Sequence, residues 1–97
     1  DVSTGGIMSG VSIPVKPNYQ VPFSEQVKAK ADIPVTAVGL ITKPKQAAKI
    51  LAHGEADAVE IGRAALRDQY WPLRAANKLG IPSTEIPYAP QYVAGAY

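Results

Sequence analysis

Two apolar segments of this chain each run into a glycine and then into a helix-like stretch. The first is Thr36-Ala37-Val38-Gly39-Leu40-Ile41-Thr42; the second is Ala56-Asp57-Ala58-Val59-Glu60-Ile61-Gly62-Arg63. Consecutive strand–helix units of this kind call for parallel strands joined by right-handed crossovers. Glycine at the carboxyl end of a strand, just before a helix, also lets backbone N–H groups come close to a phosphate. Gly39 and Gly62 hold those positions, and the Arg63 guanidinium would add charge beside the second. Leu40 and Ala37 are expected to line the same pocket. The same residues also fit ordinary tight turns next to a surface arginine.

The rest of the chain arranges itself around these units. Residues 22–31 read as a helix, with Phe23, Val27 and Ala31 on one face and Lys28 and Lys30 near its carboxyl end. Ile33 to Val38 reads as a short strand entered at Pro34. Thr42 is the expected N-cap of the next helix. Pro44 falls in its first turn, Ala47, Ile50 and Leu51 form its apolar stripe, and Gly54 closes it. Ala58 to Ile61 reads as a strand whose near-continuous apolar character suits cover on both faces. A short turn over residues 64–67 follows. Asp68 then caps an expected helix over 69–79, with Tyr70, Leu73 and Ala76 on one face and Gly80 after it. Residues 7–20 read as a long loop, of a length that in compact domains is often functional, the other reading being a surface excursion with no role.

The order is therefore strand end, loop, helix, strand, helix, strand, helix and tail: an α/β chain. Two complete strands and one strand end can neither close a barrel nor cover a parallel sheet, so open strand faces and edges are expected. The opening Asp1-Val2-Ser3-Thr4-Gly5-Gly6 reads as a strand end running into a glycine turn. The chain is expected to be a piece of a longer one.

Composition narrows the function classes. With 97 residues, 46% of them apolar, the chain has room for one small globular domain. Its net charge of +2 and its scattered basic residues give no nucleic-acid footprint. No apolar stretch is long enough to span a bilayer. Without cysteine there is neither a disulfide framework nor a thiolate metal site, and a cytoplasmic location is expected.

Several of these segments, taken in order, resemble the carboxyl-terminal part of the old yellow enzyme family, in its bacterial short-chain branch. They are Asp1 to Gly6, Tyr19-Gln20-Val21-Pro22-Phe23, Ala37 to Thr42, Ala56 to Val59, Ile61-Gly62-Arg63, Leu66-Arg67-Asp68-Gln69-Tyr70-Trp71-Pro72 and Pro90-Gln91-Tyr92. Members of this family are FMN-dependent NADPH dehydrogenases, or ene-reductases, on a (β/α)8 TIM barrel. The resemblance implies that residues 1–97 run from the end of strand six through strand eight, the last helix and the tail of a single barrel domain. It implies FMN as cofactor, NADPH as hydride donor and an α,β-unsaturated carbonyl compound as substrate. It assigns Gly39, Gly62 and Arg63 to the FMN phosphate, with Leu40 beside them. It places no catalytic residue and no metal in this chain, because the family's substrate histidines and catalytic tyrosine belong to earlier strands. The partner it implies is the amino-terminal remainder of the barrel, with a homo-oligomer in prospect and no nucleic acid or membrane. The rival readings are another FMN- or phosphate-binding barrel enzyme and a non-catalytic barrel fragment.

A few residues stand apart. His53 precedes Gly54 at a helix end and reads as a solvated residue favoured by the helix dipole. Glu60 replaces the usual apolar residue of its strand; a paired structural role, with a cation in the barrel interior, is the favoured reading, and a solvated carboxylate in a locally open chain is the other. Asp57 reads as a turn residue. Trp71 and Tyr70 are expected to pack a helix face on the barrel, with flavin contact as the alternative. Ser3 and Thr4 fit either a wall near the flavin or a hydroxyl-capped glycine turn. Tyr88, Tyr92 and Tyr97 fit either a dimer surface or packing of the tail on its own barrel. In the bacterial branch that the chain resembles, a tail arginine can enter the neighbouring subunit's active site; this tail has no arginine after Arg74, with Ala94 near the expected place, so the resemblance does not imply a shared site here.

Overall fold

A computed structural model describes residues 1–97. Helix α1 covers Val21–Lys30, strand β1 Thr36–Val38, helix α2 Pro44–Ala52, strand β2 Ala58–Glu60, helix α3 Arg63–Arg67 and helix α4 Trp71–Lys78. Two 3-10 turns follow, Ser83–Glu85 and Pro90–Gly95. Strands β1 and β2 pair in parallel, with Thr36 opposite Ala58, Ala37 opposite Val59 and Val38 opposite Glu60. Val2 forms a further parallel bridge to Ala37. Its N–H donates to Thr36, whereas Ala58 donates to Val35. Neighbouring carbonyls along a strand point to opposite edges, so β1 lies between the two.

The alternation of a strand explains where the core sits. Ala37, with no exposed surface, faces the helices and joins Val21, Ile41, Ala47, Ile50 and Ala56 in one cluster, against which Val59, Ile61 and Trp71 pack. Thr36 and Val38 are half-buried, and Ala58 and Glu60 are exposed, so the opposite sheet face is bare. The Cα radius of gyration is 15.6 Å, against about 12.5 Å for a compact domain of this length. The helices cover one side of the sheet only.

Local chemistry moved some expected boundaries. Strand β1 begins at Thr36 rather than Ile33, because Pro34 has no N–H to give and the Val35 N–H is taken by the Asp57 carboxylate at 2.9 Å. Asp57 is therefore more than a turn residue: it ties β1 to the approach to β2 and pairs with Lys28 of α1. Ser24, fully buried in α1, adds a second tie, its Oγ lying 3.0 Å from the Glu55 carbonyl. Strand β2 stops at Glu60, one residue short of the expected Ile61.

The N-cap of α2 is Lys43, not Thr42, since Gln46 sits at the third helical position and accepts from the Lys43 N–H. Helix α4 starts at Trp71, and its N-cap is Tyr70 rather than Asp68. Asp68 instead accepts from the Tyr70 N–H through its carboxylate and from the Trp71 N–H through its carbonyl. Ala75 is the buried residue of this helix, Trp71, Leu73 and Ala76 are half-buried, and Tyr70, which falls outside the helix, is exposed.

Candidate functional site

The carboxyl ends of the two strands come together around one cavity of about 200 Å³. Gly39, Leu40, Gly62 and Arg63 all line it, with Val38, Ile41, Thr42 and Glu60, and with Val15 and Tyr19 from the long loop. Both glycine corners expected from the sequence, and the arginine beside them, thus share one site. Ala37 does not. Being odd in register with Val38, it faces the helices, and Val38 takes the place at the cavity.

Each corner has its own geometry. Gly39 has φ +115°, a conformation L side chains rarely adopt, and a Cβ there would lie 2.5 Å from Gln20 Nε2 and 2.7 Å from Tyr19 Cε1. Leu40 follows in the left-handed region at φ 49°, a position that costs a non-glycine residue about 1–2 kcal/mol unless its surroundings hold it. Gln46 does the holding. Its Nε2 donates to the Leu40 carbonyl at 2.9 Å and to Asn18 Oδ1 at 2.6 Å, and its Oε1 accepts from the Thr42 N–H at 3.0 Å. Gly62, with φ −90° and ψ −95°, is the N-cap of α3, and a side chain added there would meet no protein atom.

The polar groups at these corners are largely unspent. No backbone carbonyl accepts from the N–H groups of Gly39, Leu40, Ile41, Gly62 or Arg63. Arg63 is exposed and enters none of the chain's three ion pairs. Unspent N–H groups beside an unpaired guanidinium form a concave donor set for an anion. The one acid at the cavity, Glu60, is exposed and hydrogen-bonded at 2.7 Å by Thr36 Oγ1 across the bare sheet face. The expected cation partner is replaced by this hydroxyl, because the face carries no basic side chain opposite it.

Other sequence candidates lie elsewhere. Thr4 does not line the cavity; its N–H and Oγ1 donate to Gln20 Oε1. His53 is the C-cap of α2, at the end of that helix away from the cavity, with Nδ1 3.6 Å from Glu55. The tail packs on α4: Tyr97 N donates to Tyr88 Oη at 3.2 Å, and the Arg74 guanidinium lies 5.8 Å from the Tyr97 ring centre. Gln20 and Gln46 were not singled out from the sequence as site residues. Gln46 stands three residues after the observed cap Lys43, but four after Thr42, the cap the sequence suggests, so the usual capping-box spacing did not point to it. For Gln20 no signal existed.

No helix is long and apolar enough to cross a membrane, and no group of three or more His, Cys, Asp or Glu could hold a metal. A parallel β-α-β layer with donor groups collected at the strand tips defines an α/β protein with a candidate anion site. The chain belongs to the NADH:flavin oxidoreductase / NADH oxidase family, whose profile matches residues 8–81.

Its relatives include an NADPH dehydrogenase of Geobacillus thermodenitrificans (strain NG80-2), 49% identical over 81 residues, which are 84% of this chain and 24% of that protein. An NADPH dehydrogenase of Geobacillus sp. (strain WCH70) is 46% identical over 95 residues, 98% of this chain and 27% of that protein. One of Listeria monocytogenes serotype 4a (strain HCC23) is 46% identical over 80 residues, 82% of this chain and 23% of that protein. The chain spans about a quarter of the length of these relatives. The resemblance to FMN-dependent NADPH dehydrogenases is borne out at the level of the family.

Proposed function

We propose that this chain supplies the FMN-phosphate corner of an FMN-dependent NADPH dehydrogenase built on a (β/α)8 barrel. The observation that carries the reading is the meeting of Gly39, Leu40, Gly62 and Arg63 around one cavity at the strand tips. Its volume, about 200 Å³, is below the roughly 300 Å³ at which pockets for whole drug-sized ligands begin. It suits the terminal group of a nucleotide better than the entire molecule. The unspent N–H groups of Gly39, Leu40, Gly62 and Arg63 match phosphate oxygens, and the Arg63 guanidinium offsets their charge.

FMN, when bound, would supply the hydride-transfer chemistry between NADPH and an activated alkene such as an α,β-unsaturated carbonyl compound. The part of this chain is to bind the phosphate and fix where the nucleotide begins. Proton-donating and substrate-binding groups come from the amino-terminal remainder of the barrel. The bare sheet face of β1 and β2 supports that remainder, since further parallel strands would cover it. A cytoplasmic location goes with the same reading.

The test is Arg63→Ala in the full-length protein that carries this chain. FMN affinity should fall about tenfold to a hundredfold, the worth of a charge-assisted hydrogen bond. The hydride-transfer rate of the FMN-saturated protein should stay as in wild type. Equal FMN affinity in a titration would overturn the proposal.

A further inference from the structure

We infer that Gln20 and Gln46 are positioning residues that aim the backbone donors of the anion corner. The inference rests on the phosphate reading of that corner. Gln20 is buried, with 4% of its surface exposed. Its Nε2 donates to the Val38 carbonyl at 2.9 Å, and its Oε1 accepts from both the N–H and the hydroxyl of Thr4. Gln46 Nε2 donates to the Leu40 carbonyl at 2.9 Å. The two carboxamides thus hold alternate carbonyls of the segment that leaves β1.

A trans peptide is planar, with its C=O and N–H pointing in opposite directions. Fixing the Val38 carbonyl toward Gln20 therefore points the Gly39 N–H within the same plane in the opposite direction, away from Gln20. Fixing the Leu40 carbonyl toward Gln46 does the same for the Ile41 N–H. Neither N–H donates to a backbone carbonyl, and both residues line the cavity. The glutamines need not touch the anion. They set the direction of two donors that would, and they hold a segment whose positive φ angles at Gly39 and Leu40 leave it few alternatives. Gln20 also links this segment to Thr4, so the strand tip at Val2–Thr4 and the tip of β1 are fixed as one unit.

The experiment compares FMN with riboflavin, which lacks the phosphate, in the full-length protein and its Gln20→Leu and Gln46→Leu variants. Each variant should bind FMN about tenfold more weakly, as expected for misaimed donors to a charged group, and bind riboflavin as wild type does. The preference for FMN then shrinks while the rest of the flavin site is unchanged. Gln20→Glu keeps an acceptor for Thr4 but loses the donor to Val38, so it repeats the test with the strand link intact. A loss of riboflavin affinity equal to that of FMN would mark a merely structural role and overturn the inference. A full FMN preference surviving in all three variants would overturn it alone. A wild-type protein with no preference for FMN over riboflavin would instead sink the phosphate reading itself.

Discussion

The indole nitrogen of Trp71 donates to the carbonyl of Thr42 at 3.1 Å. One bond thereby joins the first residue of α4 to the segment that leaves β1. The two glycine corners lie far apart in the chain, yet the elements that follow them are tied together directly behind the cavity. Trp71 also packs on the core cluster around Ile50 and Ala47. The expected packing role of this residue is thus joined by a polar one.

Trp71→Phe keeps an aromatic ring on the core and removes the donor to Thr42. Stability should fall by about 0.5–1.5 kcal/mol, the net worth of one such hydrogen bond. A lower urea midpoint with an unchanged slope is the expected result, followed by circular dichroism because Trp71 is the sole tryptophan.

Gly39→Ala places a Cβ 2.5 Å from Gln20 Nε2 at a backbone angle of φ +115°. Both the contact and the angle are unfavourable, and roughly 1–3 kcal/mol of destabilisation is expected. FMN retention should fall with it, because relief of the contact requires the Gln20 carboxamide to move off the Val38 carbonyl. Gly62→Ala, where an added Cβ meets nothing, should cost less stability in the same denaturation series.

Asp57 gives the fold a defined acid sensitivity. The Lys28 ammonium hydrogen-bonded to it, and then the Val35 N–H, hold its carboxyl below the ordinary carboxylate value of 3.8. A carboxyl lowered in the folded state contributes stability above its unfolded pKa and loses it as pH falls through the folded one. The contribution should therefore be complete above about pH 5 and decline below about pH 4. Asp57→Asn should melt at a lower temperature than wild type near neutral pH, and the gap should narrow on acidification. A gap that stays constant from pH 7 to pH 3 would contradict the assignment.

Much of the architecture is written in local signals. Glycine after an apolar run marked both strand tips, Pro44 marked the start of α2, and Gly54 and Gly80 marked helix ends, at φ 67° and 84°. These signals work because each depends on the backbone at one position. What was not legible depends on partners brought together by folding. Gln20 ends a loop with little periodicity, and its partners Thr4 and Val38 lie on two strand tips that meet it only in three dimensions. The shortening of β1 has the same origin, since the Asp57 carboxylate reaches the Val35 N–H from the far side of α2. Glu60 departed from expectation because the residue opposite it in the register is the apolar Val38, and the polar group within its reach on that face is the diagonal Thr36, a hydroxyl rather than a cation.

The bridge between Val2 and Ala37 bears on how the chain acquires its shape. Every pairing in this sheet is parallel, so none can form by a hairpin closing on itself, and each must wait for a long excursion to return. Assembly is therefore governed by distant encounters rather than neighbouring ones, a topology associated with slow folding. Until those encounters occur, the unpaired edges of β1 stay available to other chains, which makes the waiting period, more than the finished fold, the stage most exposed to aggregation.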